Sequence, residues 1–265
     1  MKRRMIFNCK QLAEKKLKKI PKDKPLSLGV IQIGKDDVSD IFINEKKKAA
    51  QKADFSFNHY KFPETIPLDE LERQIKSFPD DGLIIQLPIP DNFPTQEVLN
   101  MIPFEKDVDC LSETSLGKLY TDELDILPPV VGAVDKIIKN KKIELKGKVL
   151  AVVGPGRLVG KPTLLYGLSK KATVFSIDEN TENKKELIKK ADLVVTGVGR
   201  PGLITAEMIK KGALVIDAGT SKKNGKIVGD VREEVAEKAT LTPVPGGVGP
   251  LTVVSLLDNL VKKSS

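Results

Sequence analysis

The chain has no tryptophan, a single histidine and two cysteines among its 265 residues. Each scarcity removes a class of function. Cys9 and Cys110 stand far apart, so no disulfide framework is expected and a reducing cytoplasm is the simplest setting. His59 has no metal-ligand pattern near it, and neither a clustered Cys/His site nor a Ser-His-Asp arrangement can be assembled. No metal is therefore expected. Apolar runs fall well short of the roughly 20 residues that span a bilayer. The basic start, MKRRMIFNCKQ, leads into no apolar stretch of the secretory kind. No membrane role is expected. Aromatic residues are only 5% and no nucleic-acid-binding motif occurs, so the net charge of +8 is not read as a nucleic-acid surface. It is read as solvated lysine faces, or as steering of an anionic ligand.

What is present is an alternation of strands and helices. PLSLGVIQIG (25–34) reads as a strand and 37–53 as a helix. A strand near 55–62 and a helix near 67–78 follow, and then GLIIQLPIP (82–90), an apolar strand stopped by prolines. A second series starts at KVLAVVG (148–154) and continues through TVFSI, DLVVTGVG and GALVIDAG. Such alternation predicts an α/β protein of two βαβ-type domains with parallel sheets. The boundary is placed near 120–128.

Three stretches can carry chemistry. VVGPGRLVGKP follows a strand and opens a helix, with Gly154, Gly156 and Gly160 spaced one residue wider than the usual dinucleotide fingerprint. The first two glycines permit a tight turn close to a phosphate or ribose, and the third permits close helix packing. A plain βα turn reads the same way. Asp178 and Glu179, the first of them 24 residues beyond Gly154, stand near where a ribose-binding acid belongs and favour the nicotinamide-cofactor reading. In the helix over 37–53, Val38, Ile41, Phe42, Ala49 and Ala53 mark an apolar stripe, and Lys46 falls on it. Lys46 is either snorkelling from the edge or an ammonium held partly desolvated, with its pKa lowered for acid–base work. Gln86 is either a structural amide or a ligand-facing group at the carboxyl end of a strand. In EKDVDC, Asp107 or Asp109 can merely cap the next turn.

Taken in order, SDIFINEKKKA, GLIIQLPIP, EKDVDC, GKVLAVVGPGRLVGKP, GALVIDAGT, GKIVGDV and LTPVPGGVGPLT resemble the bifunctional methylenetetrahydrofolate dehydrogenase/cyclohydrolase family across almost the whole chain. The resemblance implies a catalytic, folate-binding domain over 1–124, completed by a C-terminal helix at 246–265. It implies a Rossmann-like NAD(P)-binding domain over 125–245, with a cleft between the two. It makes Lys46 the catalytic lysine, Gln86 the glutamine that holds it, and Asp109 the carboxylate that binds the pterin. Phe42, Leu87 and the string Pro245, Gly246, Gly247, Val248, Gly249, Pro250 and Thr252 then contact substrate. Gly154, Pro155, Gly156, Arg157, Gly160, Asp178, Glu179 and Thr220 contact the cofactor. The implied partners are tetrahydrofolate derivatives, in keeping with the positive charge if they carry a polyglutamate tail, and a second copy in a homodimer.

The sequence departs from the family at identifiable places. Phe42 stands where a tyrosine is usual, Cys110 where a glycine is usual, and LPPVVGAV where the family shows Pro-Cys-Thr-Pro and a glycine. Pro155 replaces the arginine that often follows the first glycine. With Asp178 and Glu179 in place, NAD is expected over NADP. Two rivals remain open: a dehydrogenase of another small substrate, such as a shikimate-type acid, and a non-catalytic dinucleotide- or folate-sensing protein.

Overall fold

The computed structural model describes residues 4–223 and 225–265. They divide into two compact units.

One unit comprises Glu14–Pro129 and Val253–Ser265. Its chain enters through α1 (Cys9–Leu17) and alternates β1 (Ser27–Ile33), α2 (Asp37–Lys52), β2 (Ser56–Phe62), α3 (Leu68–Ser77) and β3 (Gly82–Ile85). The short α4 (Thr95–Asn100) and α5 (Glu113–Tyr120) follow. The sheet order is β2-β1-β3 and both pairings are parallel, with Ser27 opposite Ser56 and Leu28 opposite Gly82. β1 and β3 are buried almost throughout, whereas the edge strand β2 alternates with solvent. That is why β1 and β3 read as continuous apolar runs. Leu28, Ile31, Leu83 and Ile85 have essentially no exposed surface, each worth about 1.5–3 kcal/mol of burial. β3 is shorter than the apolar run predicts: regular pairing ends at Ile85, although the Gln86 N–H still donates to Ile31 O at 2.8 Å.

The start of α2 is fixed by Asp36, whose carboxylate accepts from the Ser39 N–H at 2.7 Å. Its packing face differs from the predicted stripe. Val38, Ile41 and Phe42 are exposed, while Ser39, Ile43, Ala50 and, just past the helix, Ala53 are buried. Lys46 lies on this second line, at the helical spacing between Ile43 and Ala50.

The other unit comprises the N-terminal residues through Ala13 and Val130–Thr252. Here α6 (Pro129–Asn140) leads to β4 (Val149–Val153), α7 (Gly160–Ser169), β5 (Thr173–Ile177), α8 (Lys184–Lys190), β6 (Leu193–Thr196) and β7 (Leu214–Asp217). A hairpin of β8 (Ser221–Lys223) and β9 (Lys226–Val228) precedes β10 (Thr240–Leu241). The five-stranded sheet runs β10-β7-β6-β4-β5 and is parallel throughout. Residues through Ala13 cluster with this unit. Ile6 bridges Leu241 in parallel, and Met5 N–H donates to Ala236 O at 2.7 Å. These are backbone bonds with no side-chain signature.

The last helix, α9 (Val248–Lys263), starts inside the TPVPGGVGPLT string, so the string is a loop only as far as Gly247. Pro250 sits in the first turn of α9, where a missing N–H costs nothing. From Val253 onward the helix clusters with the first unit, where Asn259 Nδ2 donates to Val108 O and Leu127 O at 2.9 and 2.8 Å.

Candidate functional site

α2 delivers Lys46 and the end of β3 delivers Gln86, and the two side chains meet. Lys46 Nζ donates to Gln86 Oε1 at 2.7 Å, and Gln86 Nε2 donates to Leu87 O at 2.7 Å. The second bond fixes which end of the amide faces the lysine. Gln86 is buried and Lys46 half-buried. Burial holds the Lys46 amine below the usual lysine range, and the negative charge of Asp109 opposes that shift. The snorkelling alternative is set aside: the amine ends on a buried amide.

The two aspartates of EKDVDC separate cleanly. Asp107 is buried and accepts from the Leu111 and Ser112 N–H groups and from the Ser112 and Ser115 hydroxyls, the last two at 2.6 Å. It is the turn's internal cap. Asp109 is instead the carboxyl whose charge is felt at Lys46. Desolvation pushes its carboxyl up to about 6, Lys46 pulls it down, and Asp107 adds to the rise. Cys110 follows, fully buried at φ +60°. Phe42, one helical turn before Lys46, is exposed, and Leu87 is half-buried. The line therefore offers an amine, a fixed amide and a carboxyl, with an exposed aromatic ring alongside. His59 sits elsewhere in the sheet, with its Nε2 2.9 Å from Gln32 Oε1.

In the other unit the glycine-rich turn leaves β4. Gly154 adopts φ +85°, a region open to glycine. A methyl on Gly160 would collide with the Gly154 carbonyl and with Pro155 Cα, whereas Gly156 faces open space. The three positions thus do what a phosphate-cradling turn requires: one bends, one leaves room and one lets α7 close on the turn. Pro155 is half-buried, and Arg157 is exposed. Asp178, just past β5, accepts from the Asn180 N–H and the Thr181 hydroxyl, both at 3.0 Å, so its carboxylate is held in its own turn. Glu179 and Thr220 are exposed.

In the late string, Gly246 takes φ +85°, and a methyl on Gly247 would strike the Pro243 carbonyl. Val248 is buried, Pro245, Gly246, Gly249 and Pro250 are exposed, and the Thr252 hydroxyl bonds back to Val248 O at 3.1 Å. Sequence reasoning offered Asp107 as a turn cap without its two serines, and it missed the buried Asp217, Asp230, Thr196 and Thr242. A glycine within two positions of an aspartate, in IDAG and in GDV, is the trace they leave.

An amine beside a fixed amide on one parallel α/β sheet, and a glycine-rich βα turn on another, define an enzyme of the dehydrogenase type. Residues 4–109 match the family tetrahydrofolate dehydrogenase/cyclohydrolase, catalytic domain, and residues 128–265 match its NAD(P)-binding domain. The chain belongs to the tetrahydrofolate dehydrogenase/cyclohydrolase family. The bifunctional protein FolD of Clostridium perfringens is 39% identical over 246 residues, which cover 91% of this chain and 89% of that protein. A bifunctional FolD structure from Campylobacter jejuni superposes with a TM-score of 0.93 at 32% identity and covers 98% of both chains. The Trypanosoma brucei FolD structure, complexed with NADP cofactor and inhibitor, gives 0.91 at 31% identity, over 99% of this chain and 98% of that one.

Proposed function

We propose that this protein oxidises 5,10-methylenetetrahydrofolate to the 5,10-methenyl cation with NAD(P)+, and hydrolyses that cation to 10-formyltetrahydrofolate. The observation that carries the hydrolytic half is the Lys46–Gln86 contact at 2.7 Å, with the amine's pKa lowered by burial. Gln86 Oε1 accepts one N–H of Lys46 whether the amine is charged or neutral. In the neutral form the nitrogen lone pair takes a proton from water as the water oxygen bonds the methenyl carbon. The Lys46 ammonium so formed returns its proton to the departing ring nitrogen as the ring C–N bond breaks. The new hydroxyl loses its proton to solvent and becomes the formyl carbonyl on the other nitrogen, so that one proton is released overall. Asp109 accepts hydrogen bonds from the pterin's N–H groups, and Phe42 lends an apolar face beside the lysine.

The Gly154–Gly160 turn fits a dinucleotide: φ +85° at Gly154, open space at Gly156 and the closed approach at Gly160 form a cradle that a Cβ would fill. When bound, the nicotinamide supplies the hydride acceptor. The protein's part in that step is to orient two flat rings and exclude water. NAD is favoured over NADP because Asp178 and Glu179 stand at the end of β5, where a 2′-phosphate would meet negative charge. Residues 1–124 with the C-terminal helix serve folate and 125–245 serve the dinucleotide, and the protein acts as a homodimer on polyglutamylated folate.

The test is direct. Purified protein is given methylenetetrahydrofolate with each cofactor while cofactor reduction is followed, and methenyltetrahydrofolate alone while its hydrolysis is followed. Turnover in both assays is expected. Reduction with shikimate in place of folate, or silence in all assays, overturns the reading.

A further inference from the structure

At and beyond the carboxyl ends of β6 and β7 lie two buried carboxylates that the reaction chemistry does not use. Asp230 has no exposed surface. Its Oδ2 accepts from the Thr196 hydroxyl at 2.7 Å and from the Val198 N–H at 2.8 Å, and its Oδ1 accepts from the Arg200 N–H at 2.7 Å. All three donors belong to the end of β6 and the loop that leaves it. Asp217, the last residue of β7, accepts from the N–H groups of Gly219, Asp230 and Val231 at 3.0, 3.2 and 2.9 Å. Asp217 thus fastens the chain that carries Asp230, and Asp230 fastens the loop after β6. Glycines make room for both: a methyl on Gly219 would collide with the Asp230 carboxylate, and one on Gly229 with Asp217.

The fastened loop rests on the glycine-rich turn. A methyl on Gly154 would meet Val198 Cγ2 at 2.7 Å, and one on Gly197 would meet the Val159 side chain at the same distance. Val198 is nevertheless 44% exposed, an apolar side chain standing at the carboxyl end of a parallel strand. That end is where open α/β sheets receive their ligands. Three hydrogen bonds of 2.7, 2.8 and 2.7 Å on one buried carboxylate are far more than a solvent-facing loop needs.

We infer that Asp230 is a positioning residue for the dinucleotide: its carboxylate sets the 197–200 loop against the Gly154 turn and thereby shapes the wall the cofactor meets. The inference rests on the proposed function for its kinetic readout, but its binding readout is independent of folate turnover.

The experiment uses the full chain with Asp230→Asn, Asp230→Ala and Thr196→Val. Asn keeps one acceptor oxygen, Ala keeps none, and Val removes a single donor. Dinucleotide Kd is measured by calorimetry with NAD+ and NADP+, kcat and KM by steady-state dehydrogenation, and hydrolysis of methenyltetrahydrofolate without any dinucleotide. The expected result is a dinucleotide Kd and KM raised about tenfold in the Asn variant, about threefold in the Val variant and most in any folded Ala variant. Hydrolysis, which consumes only water, should stay within about twofold of wild type. An unchanged dinucleotide Kd in the folded Asn and Val variants overturns the inference. So does a parallel fall of both activities in proportion to the folded fraction, which marks a purely structural carboxylate. If the wild type turns over no folate while the variants still lose dinucleotide affinity, the proposed function fails and the inference stands.

Discussion

Lys46 and Gln86 lie 40 positions apart, yet the lysine amine reaches one atom of that amide and not the other. The amide nitrogen is already committed to Leu87 O, so the oxygen alone faces the amine. The lysine gains a fixed address without gaining a counter-charge. Asp109 supplies a negative charge that opposes, without cancelling, the effect of burial.

Lys46→Met is expected to lower the hydrolysis rate by at least about a hundredfold, the scale of a lost general acid–base group. Dehydrogenation, which needs orientation more than proton transfer, should fall less. Rates of both reactions on one folded preparation check this, and wild-type hydrolysis in the variant would remove Lys46 from the chemistry.

Phe42→Tyr places a hydroxyl one turn from Lys46 on a ring that is already partly exposed. One hydrogen bond gained near the reacting centre is worth about 1 kcal/mol, or about fivefold in rate. Hydrolysis should rise by that factor relative to dehydrogenation. A ratio of rates that stays level or falls shows that another group has taken the role.

The acidic turn after β5 is expected to give a higher kcat/KM with NAD than with NADP. Asp178→Ser combined with Glu179→Ser should shift the preference toward NADP by about tenfold or more. An NADP advantage in the wild type would mean that Arg157 outweighs the two acids.

Asp109 should impose an acid limb on folate binding, because burial, with a smaller push from Asp107, raises its carboxyl to about 6 against the pull of Lys46. Below about pH 6 the carboxylate is protonated and loses its acceptor role, so kcat/KM for methylenetetrahydrofolate falls there. The effect on stability has the opposite sign. The folded state holds this proton more tightly than the unfolded chain, so the carboxyl's contribution is fully present below the ordinary aspartate value and is lost as pH rises through about 6. Asp109→Asn should therefore flatten the acid limb and raise Tm relative to wild type only above that range. An acid limb that survives the substitution assigns it to another group.

Cys110→Gly should stabilise the protein. A non-glycine residue at φ +60° costs about 1–2 kcal/mol, and glycine relieves most of it, less the apolar contacts of a buried thiol. A net gain of about 0.5–1 kcal/mol in denaturant midpoint analysis is expected. A lower midpoint would show that the thiol's packing outweighs the backbone.

The alternation of strands and helices was plain because β1, β3, β4 and β6 are short apolar runs bounded by glycine, proline or aspartate. Lys46 was legible for a reason that was only half right. The pattern favoured Val38, Ile41 and Phe42 because they are large, but α2 packs toward β2 through Ser39, Ile43, Ala50 and the adjacent Ala53. The alanine end of the predicted stripe held, since Ala53 is buried, but its large N-terminal residues face outward and the polar Ser39 takes the inner face. Asp217 and Asp230 were illegible in role because their partners are mostly backbone N–H groups, which every residue but proline has. The join between Ile6 and Leu241 escaped notice for the same reason.

Both sheets are parallel in every pairing, and this bears on how the chain finds its structure. Neighbours in a parallel sheet cannot be joined by a tight turn, so each pairing waits for a crossover segment to be drawn in. Closing those loops loses chain entropy before any strand contact compensates it, which slows folding. The antiparallel hairpin β8–β9 is the exception among the described residues, and it lies outside both sheets. It can close early without templating either one. Nascent sheet edges therefore stay exposed while the helices assemble, and refolding yield should fall as protein concentration rises.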